Sequence, residues 1–169
     1  NLYIEGDNLD VLKILRENYL GKVKMIYIDP PYNTGNDFVY NDDFAQNKKE
    51  FELNSGVFDK DGNKIADPMQ RNTESNGRFH TDWLNMIYPR LKISKDLLSD
   101  DGVIFISLDD KEIANLIRIC TEIFGEHNFV GNIIWQSRTS ISNDDEISTN
   151  HNHTLVYSKN RELLTFGGD

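Results

Sequence analysis

The sequence predicts an α/β fold on a mostly parallel sheet, with an antiparallel strand near the C-terminus. Two apolar runs carry the sheet. Met25-Ile26-Tyr27-Ile28 and Val103-Ile104-Phe105-Ile106 do not alternate, as expected of strands covered on both faces. Helical periodicity supplies the second observation: Phe79, Trp83, Ile87 and Leu91 recur at four-residue steps between those runs. Third, Asn132-Ile133-Ile134-Trp135 and Thr154-Leu155-Val156-Tyr157 flank a polar stretch, the arrangement of an antiparallel pair.

Taken in order, Leu2-Tyr3-Ile4 reads as a short first strand entering Gly6-Asp7-Asn8. Asp7 or Asn8 then caps a helix that carries Leu9, Leu12, Ile14, Leu15 and Tyr19 and stops at Gly21. The strand from Val23 to Ile28 ends at Asp29 and two prolines, neither able to donate to a ladder. Residues 33–77 form a long polar loop, which in a compact domain is functional or mobile. Within it, Asp59-Lys60-Asp61-Gly62 reads as a hairpin turn, because the other ligands of a calcium loop are missing. The next helix runs from Phe79 to Leu97-Leu98, bent or restarted near Pro89. Asp100-Asp101-Gly102 turns the chain into the second buried strand, and Asp109 with Glu112 has capping-box spacing for a helix reaching Phe124-Gly125. Trp83, Trp135 and Cys120 read as core residues.

Composition narrows the function classes. The 169 residues suffice for one domain with a real core. Twenty-eight acidic against 18 basic residues give a net charge of −10, which excludes wrapping nucleic acid by charge alone. Any nucleic-acid contact must therefore be a local site. No apolar run approaches the ~18 residues of a membrane span, and no secretory signal is visible. A soluble, cytoplasmic protein with no membrane partner is expected. A single cysteine is compatible with that compartment, and no glycine-rich phosphate loop exists.

Ligands of open α/β sheets sit beyond the carboxyl ends of the strands. Three expected strand ends finish in polar clusters: Gly6-Asp7-Asn8, Asp29-Pro30-Pro31-Tyr32-Asn33 and Ser107-Leu108-Asp109. The middle one carries most of the chemistry. Asp29 puts a carboxylate at a strand tip, and Pro30 and Pro31 bring carbonyls without amide hydrogens, so acceptors are in excess. Paired acceptors suit an exocyclic amino group, which has two N–H donors and little basicity. Holding both hydrogens draws the nitrogen towards a tetrahedral shape and makes its lone pair available. Tyr32 adds a flat face on which a base can stack, worth about 1–3 kcal/mol. The competing reading is a plain strand terminator, since Asp before Pro starts many turns. Asp109 reads as a cap, and Arg138 as a solvated arginine or a phosphate contact.

These motifs resemble those of the amino-specific DNA methyltransferases, in particular the methylation (Mod) subunits of Type III restriction–modification systems. The resemblance runs through Asn1-Leu2-Tyr3-Ile4-Glu5-Gly6-Asp7-Asn8, Asp29-Pro30-Pro31-Tyr32-Asn33-Thr34-Gly35, the Trp83–Leu98 helix, Gly102-Val103-Ile104-Phe105-Ile106-Ser107 and His151-Asn152-His153-Thr154-Leu155-Val156-Tyr157. It implies a partial Rossmann-like methyltransferase sheet, S-adenosylmethionine as methyl donor and a flipped adenine as acceptor. An Asp in the first catalytic position goes with adenine-N6 transfer in that family; Ser is typical of cytosine-N4 enzymes. The resemblance makes Asp29, Pro30, Pro31 and Tyr32 catalytic, gives Asp7 a bond to the donor's adenine, and puts His151 beside the flipped base. It calls for no metal. Implied partners are double-stranded DNA, a restriction subunit and a second copy of the full-length protein.

The chain departs from the family in one respect. The Phe-x-Gly-x-Gly element that cradles the donor's methionine part is absent, and Thr165-Phe166-Gly167-Gly168-Asp169 lacks its spacing. A basic recognition domain is missing too. Residues 1–169 are therefore expected to form a partial catalytic domain, weak in donor binding and inactive alone. Two rival readings remain. One is an enzyme acting on cytosine or on a protein amide, as protein glutamine methyltransferases use Asn before Pro-Pro-Tyr. The other is a module that only binds a partner.

Overall fold

The computed structural model describes residues 2–40, 69–137, 149–165 and 167. The chain divides into two compact units, Asn1–Tyr32 with Tyr88–Asp169, and Asn33–Ile87. Asp59-Lys60-Asp61-Gly62 and Arg138 lie outside the described residues.

In the first unit, α1 spans Asn8–Tyr19, and the Asp7 side chain caps it by accepting from the Leu9 and Asp10 amides at 3.0 and 3.1 Å. Strand β1 (Val23–Ile28) runs parallel to β4 (Leu98–Leu108), with Met25 opposite Val103 and Ile28 opposite Ile106. Strands β5 (Phe129–Gln136) and β6 (His151–Ser158) are antiparallel, and β6 is also antiparallel to β4, giving the order β1-β4-β6-β5. The α/β class and the antiparallel C-terminal pair are as expected. The parallel share is smaller than expected: one of three strand pairings, because β6 enters between β4 and β5 against the direction of β4.

Burial follows position in this sheet. Central β4 has Ile104, Ile106 and Leu108 fully buried, and β6 buries Leu155, Val156 and Tyr157. The edge strands do not match. Met25 and Tyr27 of β1 are 60% exposed, and Trp135 of β5 is 47% exposed. The expectations of a doubly covered β1 and a core Trp135 are thus corrected: both belong to edge strands of this sheet. Leu2-Tyr3-Ile4 forms no strand either; its side chains are exposed, and no neighbouring ladder among the described residues holds it. Asp100-Asp101-Gly102 is an irregularity inside β4, where the register shifts opposite Val23–Met25.

Helix α3 (Ile113–Phe124) shows why its sequence folds as it does. Leu116, Cys120, Ile123 and Phe124 fall on one face and are buried, with the Phe124 ring 5.7 Å from that of Tyr157 in β6. Burying each such side chain contributes about 1.5–3 kcal/mol. Burial raises the Cys120 thiol pKa well above its ordinary range, as befits a small core residue. Gly125 ends the helix at φ +95°, its amide donating to the Thr121 carbonyl. The capping box expected at Asp109 does not form. The helix begins four residues later, after buried Glu112, and Asp109 instead accepts the Lys111 amide at 3.0 Å in the preceding turn.

The division between units falls within α2 (Phe79–Leu97), which runs through Pro89 as a single helix. In the second unit, the polar segment is less structureless than expected. Strands β2 (Phe38–Tyr40) and β3 (Met69–Arg71) pair antiparallel within residues 33–77. Trp83, Met86 and Ile87 are buried there, as the four-residue periodicity predicts for Trp83.

Candidate active site

Parallel β1 and β4 deliver their carboxyl ends to one sheet edge, and β6, running the other way, begins at that edge. The registers Ile28 with Ile106 and Leu108 with His153 place the start of residues 29–32, Asp109-Asp110 and the start of β6 along it. Below the rim, the Tyr27 and Ser107 hydroxyls lie 2.6 Å apart, joining the two parallel strands.

Asp29 is exposed at the tip of β1, and Pro30, Pro31 and Tyr32 are half-buried. The Tyr32 hydroxyl hydrogen-bonds to the Asp29 carboxylate. Burial first, and then that bond and the Asp29 charge, push its pKa up to about 12, with Tyr27 and Asp109 adding to the effect. Tyr32 therefore stays protonated at neutral pH and donates to Asp29, which orients the carboxylate as an acceptor. The turn closes on itself: one end of the tetrapeptide holds the other.

The next residue, Asn33, is fully buried at φ +61°, a left-handed conformation that Asn tolerates better than most side chains. Its side-chain oxygen accepts from Asn72 Nδ2 at 2.8 Å, and Asn72 also donates to the Phe79 carbonyl at 2.7 Å. Asn76 extends this network, donating to Asn72 at 3.2 Å and to Asp82 at 2.9 Å. Sequence reasoning singled out none of these asparagines. Asn33 beside the double proline was the available signal, since buried amides must be satisfied and mark fixed backbone.

The other expected residues have partners of their own. Asp7 uses Oδ1 to cap α1. His151 sits 3.5 Å from Asp110 and in edge contact with the His153 ring, at 5.1 Å between centroids. The sequence reading gave no role to His153 or Asp110. His153 is buried, with Nε2 2.8 Å from Asp110 Oδ1 and Nδ1 2.9 Å from Asn132 Nδ2. The alternation His151-x-His153 could have shown that both imidazoles share a strand face.

An acceptor-rich turn with an aromatic plate at the carboxyl edge of an α/β sheet can hold a planar amino group, the kind of acceptor that amino-directed enzymes work on. The comparisons agree with that class. A family model described as DNA methylase, covering N6 and N4 enzymes, matches residues 23–169, and the chain belongs to that family. It is 44% identical over 165 residues to the Mod subunit of the Type III restriction–modification enzyme EcoP15I from Escherichia coli, covering 97% of this chain and 25% of that protein. It is 45% identical over 161 residues to the StyLTI Mod subunit of Salmonella typhimurium, covering 94% and 24%. The chain thus spans about a quarter of the length of these relatives. Among solved structures, it matches a protein described as a putative DNA modification methylase of Thermus thermophilus, complexed with S-adenosyl-L-methionine. The TM-score is 0.56 at 16% identity, over 97% of this chain and 55% of that one, which establishes a shared fold.

Proposed function

We propose that this chain supplies the methyl-accepting site of a DNA adenine-N6 methyltransferase that uses S-adenosylmethionine. One observation carries the reading: the Tyr32 hydroxyl is tied to the Asp29 carboxylate at the tip of β1. That bond leaves the carboxylate with acceptor capacity for an incoming N–H, since an ionised carboxylate has about four lone-pair sites. Asp29 accepts one amino hydrogen of the flipped adenine and the Pro30 carbonyl accepts the other. Tyr32 stacks on the ring. Positioning of this kind supplies about 7–11 kcal/mol towards a two-reactant barrier, so neither a strong base nor a metal is required for the transfer. The nitrogen would gain one bond to carbon as the methyl's bond to the donor sulfur breaks, leaving a neutral thioether, and would give up one proton along the hydrogen bond to Asp29.

When bound, S-adenosylmethionine provides an electrophilic methyl group on a cationic sulfonium. The exposed carboxylate of Asp29 fits a cation at this edge. Asp7 Oδ1 serves the helix cap, and its second oxygen takes the donor's adenine amine. His151 lies beside the flipped base, on the same sheet edge. Identity to Type III Mod subunits supports DNA as substrate and a restriction subunit as partner; the proposal adds that the DNA is double-stranded and that the full-length protein pairs with a second copy of itself.

The test is transfer of labelled methyl from S-adenosylmethionine by the full-length protein to duplexes with and without adenine. Labelled N6-methyladenine recovered after digestion supports the reading. Label in N4-methylcytosine would replace it with the cytosine alternative.

A further inference from the structure

Where β4 and β6 meet lies a cluster of which the methyl-transfer reading uses only His151. The β4–β6 ladder ends at the Leu108–His153 pair, and Asp110, in the turn just beyond β4, stands 2.8 Å from His153 Nε2 and 3.5 Å from His151 Nε2. His151 and His153, two apart on one strand, face the same side. Their ring nitrogens and an Asp110 oxygen all lie within 4.8 Å of one another. Two imidazoles and a carboxylate at that spacing are a donor set for a first-row divalent metal ion, which bonds to each at about 2.0–2.2 Å. Magnesium and calcium prefer sets made of oxygen alone.

We infer that Asp110, His151 and His153 bind one zinc-class divalent cation at the β4–β6 end of the sheet edge. The burial gradient suits such a site. His153 is buried and fixed, whereas Asp110 and His151 are partly exposed and give the ion a path from solvent. Three protein ligands leave a fourth position for water or an anionic oxygen. Asn132 completes the arrangement from β5. Its amide nitrogen lies 2.9 Å from His153 Nδ1 and its oxygen 3.3 Å from the same atom, so it can pair with either tautomer. To bind metal, Nε2 gives up its proton and Nδ1–H donates to the Asn132 oxygen, a bond that orients the ring and strengthens the ligand. The −10 chain would thereby gain a local positive centre on the edge where a polyanion approaches.

The experiment is titration of tag-free, chelator-treated full-length protein with Zn2+ by calorimetry and with Co2+ by visible absorption, neither of which reads methyl transfer. One equivalent is expected to bind, with cobalt d–d bands of a low-coordinate nitrogen–oxygen site and no response to Mg2+. H151A and H153A should each weaken binding at least about tenfold, and N132A by about 10–100-fold as loss of an orienting partner. H127A, on a residue outside the cluster, should leave it unchanged. His151 is partly exposed at the start of β6, so H151Q serves as a second variant if H153A proves unstable. Absence of stoichiometric Zn2+ binding, or binding equal in H151A, H151Q and H127A, overturns the inference.

Discussion

The two ends of the sheet edge are built on opposite plans. At the β1 end, the proposed site lies in four consecutive residues, and the structure adds one internal bond, Tyr32 to Asp29, with Asp29 itself open to solvent. At the β4–β6 end, no two of the clustered residues are adjacent in sequence. Asp110, Asn132 and His153 come from three segments joined by strand register, with the central imidazole buried. The first end is a partly exposed turn, expected to tolerate substitution without unfolding. The second is cross-linked into the sheet, where chemistry and stability are hard to separate.

The largest stability effect that sharpens this contrast is expected beneath the second end. Leu155, fully buried in β6 two residues beyond His153, should cost about 2–5 kcal/mol when replaced by Ala. Urea unfolding would measure it, and a loss below about 1 kcal/mol would mean that β6 does not anchor this end. Next comes Tyr32→Ala, which should remove about 1–3 kcal/mol of base stacking from substrate binding. Its midpoint in urea should fall only by the modest loss of one half-buried ring and its hydroxyl bond, about 0.5–1.5 kcal/mol; a drop as large as that for Leu155→Ala would make Tyr32 a structural residue and erase the contrast. The smallest effect is a pH signature. Tyr32 ionises at about 12 in the folded chain, against 10.0 for an ordinary tyrosine. The unfolded chain releases this proton first, so the stability from this group is whole below about pH 10 and is lost as pH rises through about 12. The stability difference between parent and Tyr32→Phe should shrink across that window, and a flat difference would argue against the hydroxyl–carboxylate bond.

How far the sequence could be read follows from the same distinction. Contiguous signals were legible: the Asp7 cap, the Phe79–Leu97 helix, the apolar face of α3 and the Asp29–Tyr32 turn all depend on residues within a turn or two of one another. Edge and centre were not. Met25 and Tyr27 look as apolar as Ile104 and Ile106, and only the strand order shows that β1 lies outside β4. Register was equally hidden, since nothing local says that Leu108 pairs with His153 and brings Asp110 within reach of both imidazoles. Composition also misled across residues 33–77, where the short β2–β3 ribbon depends on a pairing over about thirty positions rather than on an apolar pattern.

The central claim is that the Asp29 carboxylate accepts the amino hydrogen of the methylated base. The direct measurement is single-turnover methyl transfer by full-length Asp29→Ala, beside its affinity for S-adenosylmethionine and its stability in urea. Loss of one charge-oriented contact made in the transition state should slow transfer about 10²–10³-fold, with donor affinity unchanged and stability within about 0.5 kcal/mol, as for an exposed residue. Transfer as fast as in the parent would contradict the account.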